Sequence, residues 1–241
     1  MKKAKGTLFL IPNTLGLTYF ESSIPSAVLK EINHIDTFIA EHSKTARRLL
    51  KMLHIRTPQN ELELFELNKH TPAEEKALFL APLLNGKDTG LISDAGCPGI
   101  ADPGAEIVRL AHQENIRVKP LVGPSSLLLA LMASGFNGQH FSFHGYLPRD
   151  RKERISKLKA LEEQSERTGQ AQLFIETPYR NDQMIDDVLG HCKKNTLFCV
   201  AANLTLDNEK VISKPIQFWK KTQPFQKQAA VFILQAQHNY S

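Results

Sequence analysis

The chain has 241 residues, 41% of them hydrophobic and 23% charged, which are the proportions of a globular protein and exclude a disordered or collagenous chain. That length accommodates one large or two modest domains, each with its own core. The net charge of +5 is a mild bias whose distribution matters more than its size. The three cysteines, at 97, 192 and 199, and the nine histidines show neither C-x-x-C nor H-E-x-x-H spacing, so no disulfide framework, zinc site or other metal centre is expected. Met1-Lys-Lys-Ala-Lys resembles the basic end of a signal peptide, but Pro12 cuts short the apolar run Leu8 to Ile11. No run is long enough to span a bilayer, and a cytoplasmic protein is expected.

Gly6 to Ile11 reads as a first buried strand, broken by the turn chemistry of Pro12-Asn-Thr-Leu-Gly16. Ser26 to Ile32 is a short helix and Ile35 to Ala40 a strand. Thr45 to Leu53 is a helix with Ala46, Leu49, Leu50 and Leu53 inward and Lys44, Arg47, Arg48 and Lys51 outward. Such a basic face is most simply a solvated surface. Glu61 to Leu67 alternates in strand fashion. Thr71-Pro-Ala-Glu-Glu then opens a single helix through Leu84 in capping-box style, closed by Asn85-Gly86.

Thr89 to Ser93 is a short strand, and Asp94-Ala-Gly-Cys-Pro-Gly is too rich in turn formers to continue it. Asp102-Pro103 has the form of an N-cap followed by proline at the first helical position. The helix that follows carries Ala105, Ile107, Val108, Leu110 and Ala111 on its apolar stripe, ends at Asn115, and leads into a strand from Ile116 to Val122. This β-loop-α-β unit places Asp94 to Asp102 at the carboxyl end of a strand, where small ligands bind in such sheets. Glycines at 96, 99 and 104 allow close approach of backbone to ligand. Neither G-x-G-x-x-G nor G-x-x-x-x-G-K-[ST] is present, which argues against a dinucleotide fold and a P-loop.

Ser125 and Ser126 precede the apolar helix Leu127 to Ala133 and suit N-caps, or amides that hold an anion. Phe141 to Pro148 is a strand and turn. The densest basic segment, Arg149-Asp-Arg-Lys-Glu-Arg154, comes next and runs into a helix reaching about Glu166. Gln172 to Glu176, Leu197 to Ala202 and Ala229 to Leu234 are strands, and Asn181 to His191 is a helix. Five strands before about residue 120 and at least four after it imply an α/β fold of two domains, 1–118 and 119–241. The first should hold a mainly parallel sheet and the second a mixed one, with a ligand cleft between them.

Ser93-Asp-Ala-Gly-Cys-Pro-Gly-Ile-Ala-Asp-Pro-Gly104 resembles the S-D-A-G-T-P-x-x-x-D-P-G signature of the S-adenosylmethionine-dependent tetrapyrrole methylase superfamily. Its nearest pattern is that of the small-subunit rRNA (cytidine-2′-O)-methyltransferase I branch. The resemblance continues, in order, through Val122-Gly-Pro-Ser-Ser126 (P-G-P-x-A/S), Gly145-Tyr-Leu-Pro148 and Glu176-Thr-Pro-Tyr-Arg180 (E-S-P-H-R). Three loops depart from it. Pro12-Asn-Thr-Leu-Gly-Leu17 stands against P-T-P-I-G-N-L, Ala40-Glu-His-Ser-Lys44 against A-E-D-T-R, and Ala202-Asn-Leu-Thr-Leu206 against R-E-L-T-K.

The resemblance implies a homodimer that binds S-adenosylmethionine through Leu15, Ala95, Gly96, Cys97, Ile100, Ser125, Ser126, Glu176, Asn203 and Leu204. Most of these are backbone or apolar contacts, and in-line displacement at a sulfonium methyl gains much from positioning alone. A ribose hydroxyl is a poor nucleophile and needs a proton acceptor. Glu41 and Asp94 are the foremost candidates, with Glu176 and His42 behind them, and each also suits a structural hydrogen bond. Arg47, Arg48, Lys51, Arg149, Arg151, Lys152 and Arg154 are the expected RNA contacts. The implied activity is methylation of RNA, with the ribosomal small subunit as partner. The residues also leave open a methyltransferase of a tetrapyrrole or other small acidic substrate, and a non-catalytic RNA- or ribosome-binding relative.

Overall fold

Strand β1 (Thr7–Ile11) alternates its side chains between two apolar layers, Leu8 and Leu10 to one and Phe9 and Ile11 to the other. That double burial is what an interior strand of a parallel sheet requires. The computed structural model describes residues 4–16, 20–68, 70–220 and 224–237. It divides into two units, Met1–Ser125 and Ser126–Ser241.

In the first unit β1 is joined by β2 (Thr37–Ala40), β3 (Glu63–Glu66), β4 (Thr89–Ile92) and β5 (Arg117–Pro120). The sheet has the order β3-β2-β4-β1-β5 and every pair is parallel. Helices α1 (Ser26–Ile32) and α2 (Ser43–Met52) bury Val28, Ile32, Ala46, Leu49 and Leu50 on one face with Phe9, Ile11 and Phe38. On the opposite face lie α3 (Ala73–Leu78), α4 (Ala81–Leu84) and α5 (Gly104–Gln113), where Phe79, Leu83, Ile107 and Ala111 pack on Leu8, Ile39 and Leu91. The adjacent strands β1 and β4 therefore send their connections to opposite faces. This is the switch point at which a crevice opens beyond the carboxyl ends of the strands.

The helix expected over Thr71 to Leu84 is two helices. Pro82 cannot donate to the carbonyl of Leu78 and its ring opposes that turn, so α3 stops at Leu78 and α4 begins anew at Ala81. Its expected capping box does not form either. The Thr71 hydroxyl accepts from the Asn68 amide at 2.9 Å and donates to the Glu66 carbonyl at 3.4 Å.

The second unit comprises α6 (Ser126–Ser134), β6 (Phe141–Tyr146), α7 (Arg151–Thr168), β7 (Ala171–Ile175), α8 (Asn181–His191), β8 (Leu197–Ala202), β9 (Lys210–Pro215) and β10 (Ala230–Gln235). Its sheet runs β6-β7-β10-β8-β9 and is mixed: β6 and β7 are parallel and the other pairs antiparallel. Leu158 and Leu161 of α7 and Met184 and Val188 of α8 share a core with Phe174, Phe198 and Phe232. The Asp150 carboxylate caps α7 by accepting from the amides of Lys152 and Glu153 at 2.9 and 3.0 Å, and Gly169, at φ +68°, ends it. The α/β architecture with a parallel first sheet and a mixed second sheet is thus as the sequence implies. Strand β9 is absent from the elements that the sequence predicts. Its lysines at 210 and 214 and its closing Pro215 are edge-strand features that read as loop.

Candidate functional site

The loops that leave β1, β2 and β4 meet at the carboxyl edge of the parallel sheet, and Asn13 joins two of them. Its backbone forms an antiparallel bridge with Gly96, amide to carbonyl at 2.9 Å and 3.2 Å. Its side chain, 4% exposed, donates Nδ2–H to the carbonyls of Ser93 and Asp94, both at 3.0 Å, and accepts the Thr14 amide at 2.8 Å. Asn13 lies outside the set of site residues read from the sequence. The signal available was an amide side chain directly after a strand, a residue type suited to bonding neighbouring backbone.

Gly96 holds φ +70°, a conformation that favours glycine. A Cβ there would lie 3.2 Å from Leu15 Cδ2 and 3.4 Å from the Pro124 carbonyl oxygen. Cys97 Sγ is 3.3 Å from that same oxygen. The structure therefore brings Leu15, Gly96 and Cys97 together with the segment that ends at Ser125. Ala95 is exposed beside them, and Ile100, 53% exposed, sits further along the loop. Leu17 lies outside the described residues.

The far end of this loop is organised by Asp102. Its carboxylate accepts from the Gly99 amide at 3.0 and 2.8 Å and from the Gly104 amide at 2.6 Å. It thus braces the turn as well as the start of α5. Burial pushes its pKa upward, against the pull of those amide bonds.

Glu41 and Asp94 are also brought together, but each is already engaged. Glu41 Oε2 accepts the Asp94 amide at 3.1 Å. Burial, reinforced by the charges of Asp94 and Asp102, pushes the Glu41 carboxyl above its ordinary range. Asp94 Oδ2 lies 2.7 Å from His42 Nδ1. That hydrogen bond, together with the Asp94 charge, raises the imidazole pKa.

The remaining expected ligand contacts belong to the second unit. Ser126 begins α6 and is half-buried. The Glu176 carboxylate is buried, accepting the Thr177 amide at 2.6 Å and pairing with Arg180 at 2.5 Å. Asn203, at φ +51°, turns the chain out of β8, and Leu204 is buried behind it.

The basic positions divide. Arg48 and Lys51 are exposed on α2, whereas Arg47 is half-buried and donates to the Gln59 carbonyl. Arg149 and Lys152 are exposed, and Lys152 lines a shallow groove with Pro148, Glu153, Ser156, Lys157 and Ala160. Arg154 does not belong to any exposed face. It is 1% exposed, pairs with buried Asp187 through Nη2 at 2.6 Å and Nε at 2.9 Å, and donates to the Arg149 carbonyl. Arg151 shares the same carboxylate, Nε to Oδ1 at 2.9 Å. The charge of Arg154 serves the interior of the unit, because a buried carboxylate demands a partner.

The sequence model for tetrapyrrole (corrin/porphyrin) methylases matches residues 22–217. A protein named ribosomal RNA small subunit methyltransferase I from Synechocystis is 32% identical over 217 residues, 90% of this chain and 71% of that protein. Proteins of the same name from Escherichia coli O157:H7 and Pseudomonas aeruginosa are 29% and 33% identical, over 88% and 76% of this chain. The chain spans 70% of the first of these and 61% of the second. The crystal structure of the methyltransferase CobJ superposes with a TM-score of 0.64 at 14% identity, covering 97% of this chain and 95% of that one, a likeness of fold. With 196 of its residues inside the family pattern, from 22 to 217, the chain belongs to the tetrapyrrole (corrin/porphyrin) methylase family, on the branch that carries the small-subunit ribosomal RNA methyltransferase I proteins.

Proposed function

We propose that the protein is an S-adenosylmethionine-dependent methyltransferase acting on RNA, at a ribose 2′-hydroxyl of small-subunit rRNA. The observation that carries this reading is the loop from Ser93 to Gly104, bridged by Gly96 to Asn13 at the switch point of a parallel sheet. S-adenosylmethionine, when bound, supplies an electrophilic methyl group. Leu15, Ala95, Gly96, Cys97, Ile100 and Ser125 hold it in this reading, and Ser126, Glu176, Asn203 and Leu204 are the further contacts that the family resemblance implies. The residues fit such a ligand: Gly96, at positive φ and bonded to Asn13, turns the loop so that Ala95 is exposed beside it, and Leu15 and Ile100 supply apolar surface. Most of what the site offers is shape and backbone, which is what positioning for an in-line displacement calls for.

RNA binding rests on Arg48, Lys51, Arg149, Arg151 and Lys152, the exposed members of the basic set, of which Arg151 also pairs with Asp187. The buried Arg154 is withdrawn from it. Assembly as a homodimer belongs to the same reading and is supported by Leu128 and Met132, neighbours at i and i+4 on α6 that are 52% and 78% exposed; light scattering at micromolar concentration checks it. A cytoplasmic location, where ribosomes are found, also goes with it.

The test is transfer of labelled methyl to small ribosomal subunits, free rRNA and a tetrapyrrole, run side by side. Label is expected in small-subunit rRNA. Replacing Arg149 and Lys152 by glutamine should weaken RNA binding and flatten its log–log salt dependence by roughly 0.7–0.9 for each phosphate that is no longer neutralised. Label in the tetrapyrrole alone would overturn the RNA assignment.

A further inference from the structure

We propose that His42 is the residue that takes the proton from the acceptor hydroxyl, with Asp94 and Glu41 positioning it; the inference rests on the methyltransferase reading above.

The exits of three neighbouring strands, β2, β3 and β4, hold this imidazole. His42 is the N-cap residue of α2, in extended conformation, and its carbonyl accepts the Ala46 amide at 3.1 Å. The next amide, Ser43 N–H, donates to Glu66 Oε1 at 2.9 Å, which ties the start of α2 to the end of β3. The ring itself meets Asp94 Oδ2 through Nδ1 at 2.7 Å. Asp94 in turn has its backbone amide held by Glu41 Oε2 at 3.1 Å. The backbone, the ring and the carboxylate that orients the ring are thus each fixed by a separate bond.

The chemistry of this arrangement is directional. A carboxylate only accepts, so Nδ1 carries the proton toward Asp94 and Nε2 keeps its lone pair. The His42 side chain is 67% exposed, and its bond to Asp94 keeps the ring beside the bridged loop. Glu41 is bonded through Oε2 to the Asp94 amide and Asp94 through Oδ2 to the imidazole, so both carboxylates serve to position His42.

In the step, the acceptor hydroxyl oxygen forms its bond to the methyl carbon while the methyl–sulfur bond breaks, sulfur keeping the electron pair and losing its positive charge. The hydroxyl proton passes to His42 Nε2. The resulting imidazolium is held against the Asp94 carboxylate and later returns its proton to solvent, so charge is conserved at each stage. The groups that face the ring and bear on its titration are Asp94, Glu41 and Glu66, all acidic, and all favour the protonated form. Activity should therefore fall as pH drops through a His42 pKa lying above the ordinary histidine value.

The experiment uses the full chain, labelled S-adenosylmethionine and small ribosomal subunits across a pH series. NMR titration of the His42 ring in the ligand-free protein accompanies it. The ring should titrate above the ordinary histidine value, and Asp94→Asn should lower it. His42→Gln should bind S-adenosylmethionine with the parent's affinity, lose about 10²–10⁴-fold in single-turnover rate and lose the acidic limb of the pH profile. Asp94→Asn should keep that limb but move it to lower pH. A His42→Gln enzyme that keeps the limb and stays within a few-fold of the parent rate overturns the role of His42 while leaving the methyltransferase reading intact. A parent protein that binds S-adenosylmethionine but labels no RNA brings down that reading first, and this inference with it.

Discussion

Asp187→Ala should destabilise the second unit by about 3–5 kcal/mol, the usual result of removing one partner from a buried ion pair. The side chains of Arg154 and Asp187 are 2% and 1% exposed, and both guanidinium contacts to the carboxylate are 2.9 Å or shorter. Without Asp187 the guanidinium keeps only carbonyl acceptors, at Pro148 and Arg149. Arg151 cannot compensate, because it is a second cation that loses the same carboxylate; its 63% exposed side chain is left to solvent, whereas Arg154 stays buried. Urea unfolding followed by circular dichroism checks this. Replacing the buried pair together, Arg154→Met with Asp187→Leu, should recover most of the loss, since two apolar side chains need no mutual charge. A loss below about 1 kcal/mol for the single change would contradict an interior role for Arg154.

Asn13→Ala should cost about 2–4 kcal/mol, because the buried Ser93 carbonyl, the partly buried Asp94 carbonyl and the Thr14 amide each lose the Asn13 side chain as partner. The loss should fall first on the bridge between Asn13 and Gly96. Hydrogen exchange at those two amides should accelerate more than at the central residues of β1 and β4. Asn13→Asp discriminates hydrogen bonding from bulk. It preserves shape but aims a carboxylate oxygen at two carbonyl oxygens, so at neutral pH it should be no better than alanine. If Asn13→Asp behaves as the parent, the two side-chain donations do not hold the loop.

The parallel sheet was legible because its strands are short apolar runs ended by Pro, Gly and Asn. Residues such as Leu8, Ile11, Phe38 and Leu91, buried on both faces of the sheet, leave periodicity little alternative. Pro82 is equally visible in the sequence, but the apolar pattern on both sides of it outweighs its missing N–H, and the periodicity implies one helix where the chain makes two. The glycine-rich loop announces itself through turn chemistry. What its residues do to one another does not, because the partners lie far apart in the chain: Asn13 with Ser93 and Asp94, Glu41 and His42 with Asp94. Arg154 misleads for a related reason. It stands in a run of exposed charges, and the buried carboxylate that claims it is 33 residues away on α8.

Calorimetric titration of S-adenosylmethionine into the parent protein and into Gly96→Val tests the central claim most directly. Valine puts a branched side chain at φ +70°, against Leu15 and the Pro124 carbonyl, and so disturbs the loop that the proposed site is built on. The parent should bind one molecule per chain, and the variant, with its fold confirmed by circular dichroism, should bind at least about tenfold more weakly, a difference of about 1.4 kcal/mol. A parent that gives no binding heat, or a folded Gly96→Val protein that binds as tightly as the parent, would contradict a cofactor site built on the loop from Ser93 to Gly104.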